Sequence, residues 1–310
     1  MQIYGLKVFA PASVANVAIG YDILGFAING PGDEIIFRES DRPGLHIKTI
    51  HNGRNLPKEV EKNTAGVAAL SVIEELGVKD YSIEMEIFKK MPFASGMGSS
   101  AASAVAGAYG MNLFLGNELS KYDLLPHVMK GEQSADGAYH ADNVGPSLLG
   151  GIILIRSNKD HDVIKLPSPE GLFCCLIHPN IKILTSESRA VLSDQVSLSS
   201  LIQQTGNIGA FVAALYRKDF DLLSRSLDDV IIEPQRAKLI PHFYDLKKIA
   251  LDQKALGFSI SGAGPSLFAL CRNSLNAENV ADSISTYLKG KGIESTTYVS
   301  KINNEGAIKM

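Results

Sequence analysis

The 310-residue chain has little cysteine: Cys174 and Cys175 are adjacent and Cys271 is remote. Such spacing makes neither a disulfide framework nor a zinc site, so a reducing, cytoplasmic setting is expected. It also lacks an excess of either charge, with 30 Lys+Arg against 33 Asp+Glu and a net charge of −3. Without a basic run, wholesale nucleic-acid binding is excluded. Outside the N-terminal segment the longest apolar run, Leu148 to Ile155, is far too short to span a bilayer, and no membrane partner is expected. Val8 to Ile19 faintly resembles a signal peptide. Pro11 and Asn16 interrupt it, only Lys7 precedes it and Asp22 follows, so it reads as a buried strand and loop. Internal repeats and low-complexity segments are absent. So is the phosphate loop G-x-x-x-x-G-K-[ST].

What is present describes an ordinary globular protein, 45% hydrophobic and 20% charged. Its length suggests about two domains. The polar, proline-bearing stretch from Asn158 to Gly171 places a boundary near residue 165, giving domains 1–165 and 166–310.

One stretch organises the chain: Lys90-Met91-Pro92-Phe93-Ala94-Ser95-Gly96-Met97-Gly98-Ser99-Ser100-Ala101-Ala102-Ser103. It is a glycine- and serine-rich turn running into an alanine-rich helix, Ala101 to Leu115. Two glycines allow left-handed backbone and close approach to a ligand. Free N–H groups and the positive dipole end of a helix start suit a phosphate. Close helix packing would also account for the small residues.

Around it, strands are expected over Ile3 to Phe9, Val17 to Ile28, Asp33 to Glu39 and Leu45 to Ile50, with an irregular turn at Pro11 to Asn16. Asn63-Thr64 caps a helix from Ala65 to Leu76. Tyr81 to Ile87 alternates strictly, as a half-buried strand does. A helix over Tyr122 to Ala135 carries Glu132, and Tyr139 to Pro146 reads as a polar loop before a strand from Ile152 to Arg156. The second half reads as strand (Leu172 to His178), helices, two strands (Phe258 to Ser261, Ser266 to Cys271), helix (Ala277 to Lys289) and strand (Ser295 to Ser300). That order is a split β-α-β-β-α-β unit with an enlarged helical insert.

Four polar clusters stand apart from this pattern. Asn16 and Asp22 flank Ile19-Gly20-Tyr21, where Asp22 could be a simple turn residue. Glu132 lies on its helix, and an isolated Glu is usually solvated. His140-Ala141-Asp142-Asn143 has no further ligand at zinc spacing and reads either as chemistry or as backbone caps. Arg189 and Arg236 suit fork-like pairing with a carboxylate or phosphate, or surface ion pairs. A second glycine turn, Ser259 to Ser266, is either a tight hairpin or a backbone able to approach the first glycine loop.

Taken together these motifs resemble the GHMP kinases over essentially the whole chain. The resemblance rests on Phe9-Ala10-Pro11-Ala12-Ser13-Val14-Ala15-Asn16 with Tyr21-Asp22-Ile23-Leu24-Gly25, on Pro92-x-x-x-Gly96-Met97-Gly98-Ser99-Ser100-Ala101-Ala102, and on Ser261-Gly262-Ala263-Gly264-Pro265. Met97 stands where Leu is usual, a conservative change. The His140 to Val144 stretch, Thr185 to Arg189 and Glu233-Pro234-Gln235-Arg236 look like the homoserine kinase branch. The resemblance implies an α+β, two-domain GHMP kinase fold, with an N-terminal domain like ribosomal protein S5 domain 2 and a ferredoxin-like C-terminal domain. It implies ATP and magnesium, with L-homoserine phosphorylated on its hydroxyl in threonine biosynthesis. By analogy Pro92, Phe93, Ala94, Ser95, Gly96, Met97, Gly98, Ser99, Ser100, Ala101 and Ala102 wrap the triphosphate, and Asn63 lies by the adenine. Ser100 and Glu132 hold the metal. Asn16, Asp22, His140, Asn143, Arg189 and Arg236 line the acceptor pocket, with Thr185 near the transfer point.

Homoserine is a zwitterion, so arginine for its carboxylate and Asp22, Asn16 or His140 for its ammonium agree with the assignment. Several GHMP kinases carry an Asp base where this chain has Asn143, which cannot take a proton near neutral pH. The phosphate itself is therefore expected to accept the hydroxyl proton, with Asp22 the alternative base. The rivals are a GHMP kinase for shikimate or mevalonate, and an inactive regulator of the same fold. A homodimer is compatible with the sequence.

Overall fold

The computed structural model describes residues 5–310, with Arg54, Ala94 and Ala138 excepted. The first sheet is built from β1 (Leu6–Ala15), β2 (Leu24–Glu39), β3 (Gly44–His51), β4 (Ser82–Phe88), β5 (Ile152–Ser157) and β6 (Asp162–Leu166). β1 and β2 are antiparallel, from Leu6 opposite Phe37 to Ala15 opposite Gly25, with a register shift between Pro11 and Ser13. β4 joins β2 antiparallel and β3 joins β4 in parallel, while β5 branches from the Leu24–Phe26 end of β2 and carries β6. In β4, Ile83, Met85 and Ile87 are buried and the residues between them are not, as its alternation requires.

Four helices pack with this sheet: α1 (Thr64–Glu75), α2 (Ser99–Phe114), α3 (Leu125–Asp136) and α4 (Ala141–Leu149). Asn63 caps α1 by accepting from the Ala65 and Gly66 amides. α2 touches β1 and β2 on one side and α1, α3 and α4 on others. Its run of Ala, Gly and Ser lets backbones approach from every direction, which is why most of it is buried.

The second sheet contains β7 (Phe173–Pro179), β8 (Gly257–Ile260), β9 (Leu267–Cys271) and β10 (Ser295–Lys301), in the order β10-β7-β9-β8 and antiparallel throughout. This is a ferredoxin-like arrangement. The helical insert between β7 and β8 is α5 (Thr185–Ala190), α6 (Leu198–Arg217), α7 (Phe220–Ser226), α8 (Glu233–Arg236) and α9 (Phe243–Asp252), and α10 (Ser274–Gly290) follows β9. Alternate residues of the second sheet serve two cores. Cys174, Leu176, Phe268 and Leu270 join the core of the first sheet, where Phe268 meets Phe26 edge-on at 5.8 Å. Cys175, Ile177, Leu267, Ala269 and Cys271 pack beneath α9 and α10. β11 (Ile308–Lys309) returns to pair with β1. Among the described residues no helix is long and apolar enough to cross a membrane.

Three local expectations need correction. The turn at 11–16 is not a turn: β1 runs through it to Ala15, accommodated by the register shift. Residues 17–23 are not extended; Asn16, Val17, Ala18 and Asp22 are left-handed and fold the segment into a tight loop. Residues 141–149 form α4, not a polar loop. Pro146 and Gly145 read as breakers, but the helix is buried on nearly all sides, so tertiary packing overrides propensity. β6 and β11 were not anticipated, being short or edge strands with weak patterning.

A cavity where two glycine turns meet

A cavity of about 460 Å³ opens where the second glycine turn meets the first, within the range of small-molecule sites. The two turns are bonded together. The Ser261 hydroxyl donates to the Gly96 carbonyl at 2.6 Å, and the Ser266 amide to the Ser95 carbonyl at 3.1 Å. The Gly262 amide donates to Ala15 at 3.3 Å, and Asn16 Nδ2 to the Gly262 carbonyl at 2.9 Å. The second glycine turn is thus a backbone that approaches the first loop as well as a hairpin.

One half of the cavity is the start of α2. Gly96 and Gly98 have φ of +74° and +67°. A Cβ at Gly96 would lie 2.5 Å from the Ser261 carbonyl oxygen, and one at Gly98 2.2 Å from Ser13 Oγ, so both positions demand glycine. Ser100 Oγ donates to Glu132 Oε1 at 2.8 Å. Among the described residues the hydroxyls of Ser95 and Ser99 are buried with no hydrogen-bond partner, an arrangement that a ligand oxygen would relieve. Beneath the loop Lys89 is almost fully buried. It pairs with Asp33 and donates to the Ser99 carbonyl and Ser103 Oγ, each at 2.7 Å.

The other half is made of charged side chains. His140 Nδ1 lies 3.3 Å from Asp22 Oδ1, and Arg189 reaches the same carboxylate at 3.5 Å. Burial would raise the Asp22 pKa, but His140 and Arg189 outweigh it and the net shift is downward. The hydrogen bond that His140 donates to Asp22 raises the His140 pKa against its burial. Burial pushes Asp142 up to about 6, with Asp22 adding to the effect. Arg236, 3% exposed, donates to the Ser188 and Gly262 carbonyls, each at 3.0 Å. Tyr21 sits between the arginines. Its hydroxyl accepts from Arg189 Nη1 at 3.1 Å and from Arg236 Nη2 at 3.4 Å, and its ring centroid lies 4.9 Å from Arg236 Cζ. Asn143 Oδ1 accepts from Ser13 Oγ at 2.9 Å, and Thr185 completes the wall at the start of α5.

Two family descriptions match: "GHMP kinases N terminal domain" over residues 63–151 and "GHMP kinases C terminal" over residues 211–290. A homoserine kinase of Chloroherpeton thalassium is 43% identical, the alignment covering 96% of this chain and 97% of the relative. The crystal structure of homoserine kinase from Cytophaga hutchinsonii superposes with a TM-score of 0.96 at 46% identity, over 100% of this chain and 98% of that one. The chain belongs to the GHMP kinases, in the homoserine kinase branch. A mevalonate kinase of L. major, at 16% identity and a TM-score of 0.70 over 96% of each chain, shares the fold alone.

As a kinase of this family, which uses ATP to phosphorylate an alcohol, the chain brings most of the anticipated residues into one cavity. Asn16, Asp22, Asn63, Phe93, Ser95, Gly96, Gly98, Ser99, Ser100, Glu132, His140, Asn143, Thr185, Arg189 and Arg236 line it. Others are placed differently. The side chains of Met97, Ala101 and Ala102 are fully buried in the core, so only their backbone is available to a nucleotide. Pro92 is not in the cavity wall, and Ala94 lies outside the described residues. Asn63 spends its side chain on capping α1 and on the Pro57 carbonyl, 2.9 Å away. The sequence reading missed Tyr21, Lys89 and Ser103 and gave Asp142 no role. Lys89 follows an alternating strand beside Lys90 and reads as surface charge. Asp33 does not single it out, since its own segment, Asp33 to Glu39, also carries Glu34, Arg38 and Glu39.

Proposed function

We propose that this kinase transfers the γ-phosphoryl group of ATP to the hydroxyl of L-homoserine, giving O-phospho-L-homoserine and ADP. The observation that carries this reading is the joining, in one cavity, of an uncharged phosphate cradle to a cluster that can sort a zwitterion. The division near residue 165 gives the first part most of the nucleotide contacts, while Arg189 and Arg236 come from the second.

The residues fit a magnesium ion. Ser100 Oγ and Glu132 Oε1, 2.8 Å apart, are hard oxygen donors beside the phosphate cradle. Among the described residues no three His, Cys, Asp or Glu side chains converge, so phosphate and water would complete the shell. When bound, the ion would neutralise charge on the transferring phosphoryl group. The helix start and the amides of the glycine loop would hold the triphosphate.

Arg189, Arg236 and His140 face the homoserine carboxylate, and Asp142, Asp22 and Asn16 the ammonium. Asn143, fixed by Ser13, orients the hydroxyl. It cannot accept a proton. Asp22, held ionised by His140 and Arg189, is a weak base, so the proton goes to the phosphate. Positioning and charge neutralisation then supply the catalysis.

Coupled ADP release over a panel of alcohols tests the substrate. Homoserine should stand well above shikimate and mevalonate, and equal rates on shikimate would overturn the assignment. Asp22→Asn tests the base. The expected result is a raised KM for homoserine. A large fall in kcat at unchanged KM would make Asp22 the base instead.

A further inference from the structure

α6 carries one polar side chain into the interior, Gln204, which is 6% exposed and does not line the cavity. Its amide joins two segments that do. Nε2 donates to the Ile19 carbonyl at 2.8 Å and to Asp229 Oδ1 at 2.9 Å, and Oε1 accepts from the Val230 amide at 3.1 Å. Ile19 belongs to the left-handed loop that presents Tyr21 and Asp22. Asp229, also buried, accepts from the amides of Ile231, Ile232 and Glu233 at 2.9, 3.0 and 2.8 Å. It thereby caps α8, and the Arg236 amide in turn donates to the Ile232 carbonyl at 3.1 Å. The phosphate cradle shares none of these bonds.

We infer that Gln204 is a positioning residue for the amino-acid acceptor, holding the Tyr21–Asp22 loop and the Arg236 helix in one register. The inference rests on the proposed acceptor. Tyr21 accepts hydrogen bonds from both arginines, so a shift of either segment changes the spacing of the two guanidinium groups. A bidentate carboxylate partner is sensitive to such a shift. Only a side chain with a donor and an acceptor on one planar group can bridge the Ile19 carbonyl, the Asp229 carboxylate and the Val230 amide together.

The test is steady-state kinetics of Gln204→Met, similar in volume without the hydrogen bonds, and of Gln204→Asn, one methylene too short to reach both segments. Both should raise the KM for homoserine by about tenfold, the cost of hydrogen bonds to a charged group. The KM for ATP should stay within about twofold of its original value. A fall in Tm with both KM values unchanged, or both KM values rising together, would overturn the inference. So would failure of either variant to fold while the other keeps normal homoserine kinetics. Failure of the acceptor assignment is separately visible, since the unsubstituted kinase would then release no ADP with homoserine.

Discussion

The two halves of the cavity solve opposite problems with opposite materials. The phosphate half is mostly backbone and hydroxyl, is built around one stretch from Ser95 to Ser103 with Asn63, Thr64 and Glu132 beside it, and has its nearest buried cation, Lys89, neutralised by Asp33. The acceptor half is charged side chains from separate segments around residues 16–22, 140–143, 189 and 236. An anion of fixed shape can be met by amides that a single turn lines up. A small zwitterion needs both signs of charge a few ångströms apart, which one turn of chain cannot supply without folding them into their own salt bridge.

The sharpest way to separate the halves is Gly96→Ala. Its Cβ would lie 2.5 and 2.9 Å from the carbonyl oxygens of Ser261 and Gly264. Both are backbone and neither can swing aside. The cradle should shift, and kcat/KM for ATP should fall by about a hundredfold, with homoserine affinity measured by calorimetry little changed. An equal loss on the acceptor side would show the halves to be one unit. Lys89→Met probes the neutralised cation. It leaves Asp33, 0% exposed, as a buried charge without its partner, at a cost of about 3–5 kcal/mol in urea unfolding. Asp33→Asn in the same background should recover part of that loss, because the amide removes the charge and keeps an acceptor.

The contrast also explains what was readable in the sequence. The phosphate half is local: Gly96, Gly98, Ser99 and Ser100 are contiguous, and helix starts have a composition of their own. The acceptor half came into view largely through family resemblance. Nothing in the spacing of Asp22, His140, Arg189 and Arg236 says that they meet. The β4 alternation and the Asn63 cap are period and chemistry within a few residues, and both elements form where expected. α4 was illegible because a helix buried on nearly all sides has no polar face, and Pro146 masks the rest. Tyr21 and Gln204 look like an ordinary aromatic and an ordinary amide until the fold places Arg236 and Ile19 against them. The pairing of β11 with β1 joins residues about 300 apart in sequence, and a two-residue strand carries too little pattern to announce it.

The smallest expected effect is on pH dependence, and it too should fall on one half only. Burial raises the Asp142 carboxyl to about 6 from an ordinary 3.8. Its ionised form is therefore disfavoured in the folded protein at neutral pH, and that destabilisation fades as pH falls from about 6 towards 4. Asp22 has the opposite sign: its pKa is lowered, so its stabilisation is complete above the ordinary value and is lost as pH falls through the depressed one. Between these limits Asp142 loses its charge while Asp22 keeps its own. An ammonium facing both carboxylates should bind more weakly, so the KM for homoserine should climb about tenfold, matching the ~1.5 kcal/mol at the low end for one charged hydrogen bond, as pH drops below about 6. The KM for ATP should not follow, because the cradle's donors are amides and hydroxyls. Asp142→Asn should flatten the homoserine profile at a uniformly raised KM. A profile that still bends near the same pH in that variant would move the titration to another group of the cluster, with His140 the first candidate because its own pKa is raised by Asp22.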